Sequence, residues 1–339
     1  DLTAGIEFNQ DKLEDNMWGY HRTVDQKVNI GSAFFQNEWK NEHWGFLIGG
    51  RLDKHNLIDH VIFSPRANLR YNPTENINLR FSYSSGFRAP QAFDEDLHVE
   101  NVGGNVAMVE LADNLKEERS QSLSASADIY HRFGAFQVNF LVEGFYTKLS
   151  DVFALTDGEV VDGILTRTRY NAPGARVMGL TLEGKMAYLT KFQLQAGVTL
   201  QQSHYSEPHV WNPDAPAVKK MMRTPNTYGY FTATYTPIKP LSIALSGTYT
   251  GSMLVPHEPV PGFLEKPITV NTKDFFDIGL KAAYDFKLYK SMNLQVNAGV
   301  QNIFNAYQND FDKGADRDSG YIYGPSLPRS FFAGVKISY

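Results

Sequence analysis

The chain has 339 residues, a formal net charge of −5, a hydrophobic fraction of 42% and no cysteine. Disulfide frameworks and thiolate metal sites are therefore excluded. Without a basic block there is no electrostatic footprint for nucleic acid. No apolar run reaches the roughly 18 residues of a membrane-spanning helix. A barrel strand, however, needs only about 10 residues with alternate side chains facing lipid. The aromatic fraction of 13%, with 18 Tyr and 23 Phe, suits large antiparallel sheets and the aromatic girdles of outer-membrane barrels.

Taken in chain order, the period-two pattern predicts about 14 strands. They cover 2–9, 27–40, 43–53, 60–72, 75–86, 118–132, 135–153, 165–189, 191–206, 224–237, 239–252, 272–287, 291–304 and 328–339. Ile77, Leu79, Phe81 and Tyr83 alternate with Asn78, Arg80 and Ser82. Phe192, Leu194, Ala196, Val198 and Leu200 interleave with Gln193, Gln195 and Thr199. The same alternation runs from Phe276 to Phe286 and from Met292 to Val300. These strands are longer than the five or six residues or so of a globular strand. Asn171, Pro173 and Gly174 interrupt 165–189, where a bulge or bend is expected.

Connection lengths alternate. Short ones lie near Asn41, Pro73, Gly134, Thr190, Lys239 and Tyr289. Long ones cover roughly 10–26, 54–59, 87–117, 154–164, 207–223, 253–271 and 305–327. Short turns on one rim and long loops on the other is the plan of outer-membrane barrels. The fold class expected is thus all-β, an antiparallel transmembrane β-barrel, with residue 1 starting on the periplasmic side.

Several segments resemble the TonB-dependent outer-membrane receptor family. They are GFRAP at Gly86 to Pro90, DNLKEERSQS at Asp113 to Ser122, NAPGARVMGLTLEG at Asn171 to Gly184, and NIFNAYQ at Asn302 to Gln308. Where the family has an Asn-Pro pair before the leucine, this chain has Ala112 and Asp113 before Asn114. The alternating Phe331, Ala333, Val335, Ile337 and terminal Tyr339 resemble the closing strand of outer-membrane barrels, and the segment from Gly324 resembles receptors of the Bacteroidetes.

The resemblance implies a barrel of about 22 strands with a plugged lumen. Residues 1–339 would be its C-terminal portion, with no N-terminal plug or TonB box in the chain. The whole would be an importer of a scarce nutrient, bound at extracellular loops and moved with TonB-supplied energy. The ligand would be an iron-siderophore, haem, cobalamin or similar metal complex, the small-receptor class. No cofactor is required, although the ligand can itself be a metal complex. Implied partners are outer-membrane lipid, the TonB complex through the N-terminal part, the ligand, and a surface lipoprotein as a further candidate. Haem receptors place a ligand histidine between the FRAP and DNL segments, where this chain has His98.

Other candidate ligand-binding residues come from loop position. Arg88, at a strand end, can bind an anion or lock a loop by carboxylate pairing. Trp211 and the rim tyrosines can stack on a flat ligand or anchor a girdle. His204, His209 and His257 lie on loops of the same rim and can converge with His98. Asp94, Glu95, Asp96 and Glu100 form either a hard-cation site or a solvated face. DFDKGADRDSG, Asp310 to Gly320, resembles a calcium loop without EF-hand spacing. No nucleophile elbow or His-Glu metal helix is present, so no enzyme is expected. A passive 14-stranded channel is the alternative, and an outer-membrane hydrolase a weaker one.

Overall fold

The computed structural model describes residues 1–20, 22–90, 106–161, 164–289 and 291–339. Its strands are β1 (Leu2–Met17), β2 (Arg22–Lys40), β3 (Trp44–His55), β4 (Ile62–Thr74), β5 (Ile77–Arg88), β6 (Val106–Leu111), β7 (Glu118–Phe133), β8 (Phe136–Ser150), β9 (Val152–Val161) and β10 (Ile164–Ala172). They continue as β11 (Ala175–Tyr188), β12 (Phe192–His209), β13 (Val218–Lys220), β14 (Thr227–Ile238), β15 (Leu241–Thr250), β16 (Leu254–His257), β17 (Ile268–Asn271), β18 (Phe275–Lys287), β19 (Asn293–Gln301) and β20 (Ser330–Ser338). Fourteen of these form one antiparallel meander in the order β1-β2-β3-β4-β5-β7-β8-β11-β12-β14-β15-β18-β19-β20, with β13 appended to β12. A three-stranded sheet, β6-β10-β9, and the hairpin β16-β17 stand apart from it.

Register carries one apolar face across the meander. Leu180 lies opposite Leu200, and Ala196 opposite Phe231. Tyr249 lies opposite Phe276, Leu280 opposite Leu245 and Val300, and Val300 opposite Phe331. A slip of one residue would turn every such side chain to the other face. The opposite face is polar and bonded across strands. Asn68 Nδ2 donates to Ser82 Oγ at 2.6 Å, the Thr181 and Thr199 hydroxyls meet at 3.0 Å, and Gln195 Nε2 donates to the Tyr230 hydroxyl at 2.9 Å.

Among the described residues, no second protein layer covers the apolar face. Phe35, Phe63, Phe81, Phe140, Leu200, Phe276 and Val335 are all exposed, whereas a sandwich would bury such rows face to face. The few buried hydrophobics, including Ile58, Ile62, Ala175, Met253, Val255 and Phe275, lie at the long-loop end. Aromatic pairs gather at the short-turn end. Trp44 stacks on Tyr71 at 4.2 Å, Trp39 on Phe46 at 5.7 Å, and Phe136 meets Tyr188 at 4.6 Å. That is the position of an interfacial girdle.

The strands differ from expectation where they leave the alternating zone. Residues 10–26, expected as a loop, continue β1 and β2 in unbroken register to Met17 opposite Arg22, leaving a 3-10 turn at Trp18–Tyr20. Ladder bonds persist there although both faces are polar, so the sequence loses its alternation before the strands end. Residues 154–164, also expected as a loop, contain most of β9. The expected strand 165–189 is two strands in different sheets, β10 and β11, parted at Pro173 and Gly174. A Cβ at Gly174 would lie 1.9 Å from the Leu149 carbonyl oxygen, so only glycine lets the chain pass β8 there. The end strands β1 and β20 are not paired with each other.

Candidate ligand-binding site

At the long-loop end, the motifs singled out in the sequence reduce to local bonding. In GFRAP, Phe87 packs against buried Ile58, Ile62 and Ala89. Arg88 Nη2 meets Glu118 Oε2 at 3.3 Å, and that carboxylate also accepts the Phe153 N–H at 3.0 Å. Asn171 donates to the carbonyls of Lys116 and Asp151 and accepts the Lys116 N–H. Its side chain thereby ties the segment entering β7 to the β9–β10 hairpin. Asn302, buried and at φ 51°, donates to the carbonyls of Ala306 and Leu327 and accepts the Ala306 N–H. Buried Gln308 accepts the N–H groups of Tyr323 and Gly324 and donates to the Tyr321 carbonyl. The NIFNAYQ segment thus folds the last long loop.

Glu117, with its side chain 5% exposed, holds a second knot. Its Oε1 accepts Arg119 Nε at 2.8 Å and lies 3.0 Å from His60 Nε2. Burial pushes this carboxyl up, but the hydrogen bonds from Arg119, its own backbone and His60 outweigh that and hold it below the ordinary carboxylate value. A depressed carboxyl contributes stability that is full above its unfolded pKa and lost as pH falls through the folded one. Acidification below the ordinary carboxylate range should therefore lower the amide protection factors, rates corrected for intrinsic pH dependence, at residues 115–119, and Glu117→Gln should abolish that pH dependence. Equal protection factors at neutral and low pH in the unaltered protein would contradict this.

A cavity of about 560 Å³ opens among β5, β9, β10 and the top of β12. Arg88, Arg167 and Arg169 line it with Phe153, Tyr205, His209, Trp211 and the carboxylates Glu207 and Glu258. The Arg88 guanidinium lies 4.7 Å, and that of Arg169 5.7 Å, from the Phe153 ring centroid. Tyr205 and His209 are tilted rings 4.8 Å apart. Trp211 Nε1 is buried with no hydrogen-bond partner among the described residues. An unmet indole donor favours an acceptor placed in the cavity.

Of the candidates read from sequence, Arg88, His209 and Trp211 come together on this cavity. His257 does not line it. It is buried at the end of β16, its Nε2 2.8 Å from Asp312 Oδ2 and its ring stacked on Tyr321 at 3.8 Å. His98 and the acidic residues Asp94, Glu95, Asp96 and Glu100 lie outside the described residues. His204 pairs with Lys220 on the β12–β13 ladder. Sequence reading missed Arg167, Arg169 and Phe153. The signal was the TRTRY run: arginines two apart on a strand share one face.

Known proteins give the fold a family. A family model described as "TonB dependent receptor-like, beta-barrel" matches residues 1–303. The chain belongs to the TonB-dependent receptor family. Among solved TonB-dependent receptors, the siderophore receptor PirA from Acinetobacter baumannii superposes with a TM-score of 0.69 at 17% identity, over 98% of this chain and 51% of that one. The ferric enterobactin receptor PfeA from Pseudomonas aeruginosa, in complex with BCV-L6, gives 0.70 at 17% over 99% and 51%. The FrpB iron transporter from Neisseria meningitidis gives 0.64 at 16% over 98% and 52%. At these identities the likeness is one of fold, and the chain spans about half the length of those receptors. No curated protein matches the sequence.

Proposed function

We propose that this chain is the C-terminal portion of a larger outer-membrane receptor that takes up an anionic, aromatic metal chelate of the siderophore type with TonB-supplied energy. The observation that carries the ligand class is the arginine wall of Arg88, Arg167 and Arg169 around Phe153, faced by Tyr205, His209 and Trp211. Guanidinium groups bind carboxylate and phenolate oxygens through several N–H donors at once. Aromatic rings supply stacking surface for a flat ligand. Haem carries carboxylates too and belongs to the same test. Cobalamin, a bulky corrin with amide side chains whose one anion is a phosphodiester, suits the wall less well. The unpaired edges of β1 and β20 support the reading as part of a barrel, because lipid does not tolerate open sheet edges. In this reading the long loops are extracellular, the apolar belt meets lipid, and the role is transport without bond making.

The test is titration of the full-length receptor, by tryptophan fluorescence, with a ferric tris-catecholate, a neutral ferric hydroxamate, haem and cobalamin. The tris-catecholate should bind tightest. Arg167→Ala and Arg169→Ala should each weaken it by about tenfold or more, the worth of roughly 1.5–3 kcal/mol for a hydrogen bond to a charged group. Preference for the neutral chelate or cobalamin, or unchanged affinity in both variants, would remove the proposal.

A further inference from the structure

Away from the cavity, His257 at the end of β16 meets two carboxylates from the last long loop, Asp312 and Asp318. One ligand-type atom from each of the three lies within 4.8 Å of the others. Donors around a tetrahedral ion with bonds of about 2.1 Å lie about 3.4 Å apart, so the set needs to close by little more than about 1 Å. The residues are held in place. Asp318 Oδ2 accepts the Glu258 N–H at 2.9 Å, its Oδ1 accepts the Gly320 N–H at 2.8 Å, and the Asp318 N–H reaches Asp312 Oδ2 at 3.2 Å. Tyr321 stacks on the imidazole with an interplanar angle of 8°.

Charge balance points separately to a cation. The Asp312 side chain is 5% exposed, and its ion-pair partner among the described residues is His257, itself 7% exposed. Asp318 and neighbouring Asp310 have no ion pair there. Asp310 takes the hydroxyls of Tyr321 and Tyr323 instead. The arginines bonded to this loop spend donors on backbone, Arg223 on the carbonyls of Gly320 and Ile322 and Arg317 on that of Gly314. The Asp312 carboxylate, kept from water with only an imidazole beside it, and the half-buried Asp318 are costly to leave charged without a cation, and a divalent ion would offset that charge.

We propose that His257, Asp312 and Asp318 form a divalent transition-metal site that clamps the β16–β17 hairpin to the 305–327 loop. One imidazole nitrogen with two carboxylate oxygens suits Zn²⁺ or Co²⁺ better than Ca²⁺, which prefers six to eight or so oxygens. The clamp sits next to the cavity in sequence, since Glu258 both lines the cavity and donates its N–H to Asp318. Metal occupancy therefore fixes a cavity wall without the ion touching the cavity.

The experiment uses the untagged full-length receptor, stripped with chelator and titrated with Co²⁺. One equivalent should bind with the visible absorption of a four- or five-coordinate N/O site, and Zn²⁺ should displace it while Ca²⁺ in excess does not. His257→Ala and Asp318→Asn should bind at least tenfold more weakly, and Zn²⁺ should protect residues 305–327 from protease in the unaltered receptor only. Absence of a Co²⁺ spectrum in the unaltered receptor, displacement by Ca²⁺, or equal uptake by both variants would overturn the site. These readouts use no chelate ligand, so failure of the uptake reading and failure of the metal site are distinguishable.

Discussion

Replacing Gly174 by valine should leave little correctly assembled receptor in the outer membrane. The clash is with backbone: a Cβ there would sit 1.9 Å from the Leu149 carbonyl oxygen and 3.0 Å from its carbon. Leu149 is paired with Ala175 on one side and Ser120 on the other, so β8 cannot move aside alone. Ala175 is buried at 1% exposure, leaving the next residue no room to rotate. Overpacking usually costs about 1–3 kcal/mol. A backbone collision at this distance belongs at or above the top of that range, and even Gly174→Ala should be damaging. Gly184→Ala is the matched control, since a Cβ at Gly184 meets nothing within 4 Å. Heat-modifiable gel mobility of the full-length receptor reads the folded fraction. If Gly174→Ala and Gly184→Ala behaved alike, the enforced passage between β10 and β11 would be wrong.

The second large effect separates lipid from water at adjacent positions. Leu280 and Lys281 are neighbours near the middle of β18 and point to opposite faces. Leu280 is 39% exposed and lies between Leu245 and Val300. If that face met water, Leu280→Arg would be close to neutral. Facing hydrocarbon, the arginine should cost about 2–4 kcal/mol near the bilayer midplane. Lys281→Arg, on the polar face, should change stability by less than about 0.5 kcal/mol. Reversible unfolding of the full-length receptor in phospholipid vesicles measures both. A neutral Leu280→Arg would break the transmembrane assignment.

These comparisons indicate why so much of the meander was legible. Each strand separates two solvents, and the side-chain period of two writes that separation into the sequence. The expected strands at 43–53, 75–86 and 118–132 coincide closely with β3, β5 and β7. Where both faces meet water the constraint lapses. Asp11 to Asn16 are therefore strand without an alternating signature. The site was legible in part for a related reason. Arg88 stands at a strand end, and His209 and Trp211 flank the end of β12, so position alone marked them. Arg167 and Arg169 were hidden because their segment reads as continuous with β11, whereas Gly174 sends it into another sheet. His257 was misplaced because its partner, Asp312, is 55 residues away, and local pattern holds no information about such closure.

The two ends of the meander also differ in how far along the chain their bonds reach. At the short-turn end, neighbours are joined by a few residues, so hairpins can zip as soon as they exist. At the other end, Arg223 donates to carbonyls 97 and 99 positions later. Closing so long a span carries a larger entropic cost and slows the contact. On loop-closure grounds the crown is therefore expected to order later than the hairpins of the wall.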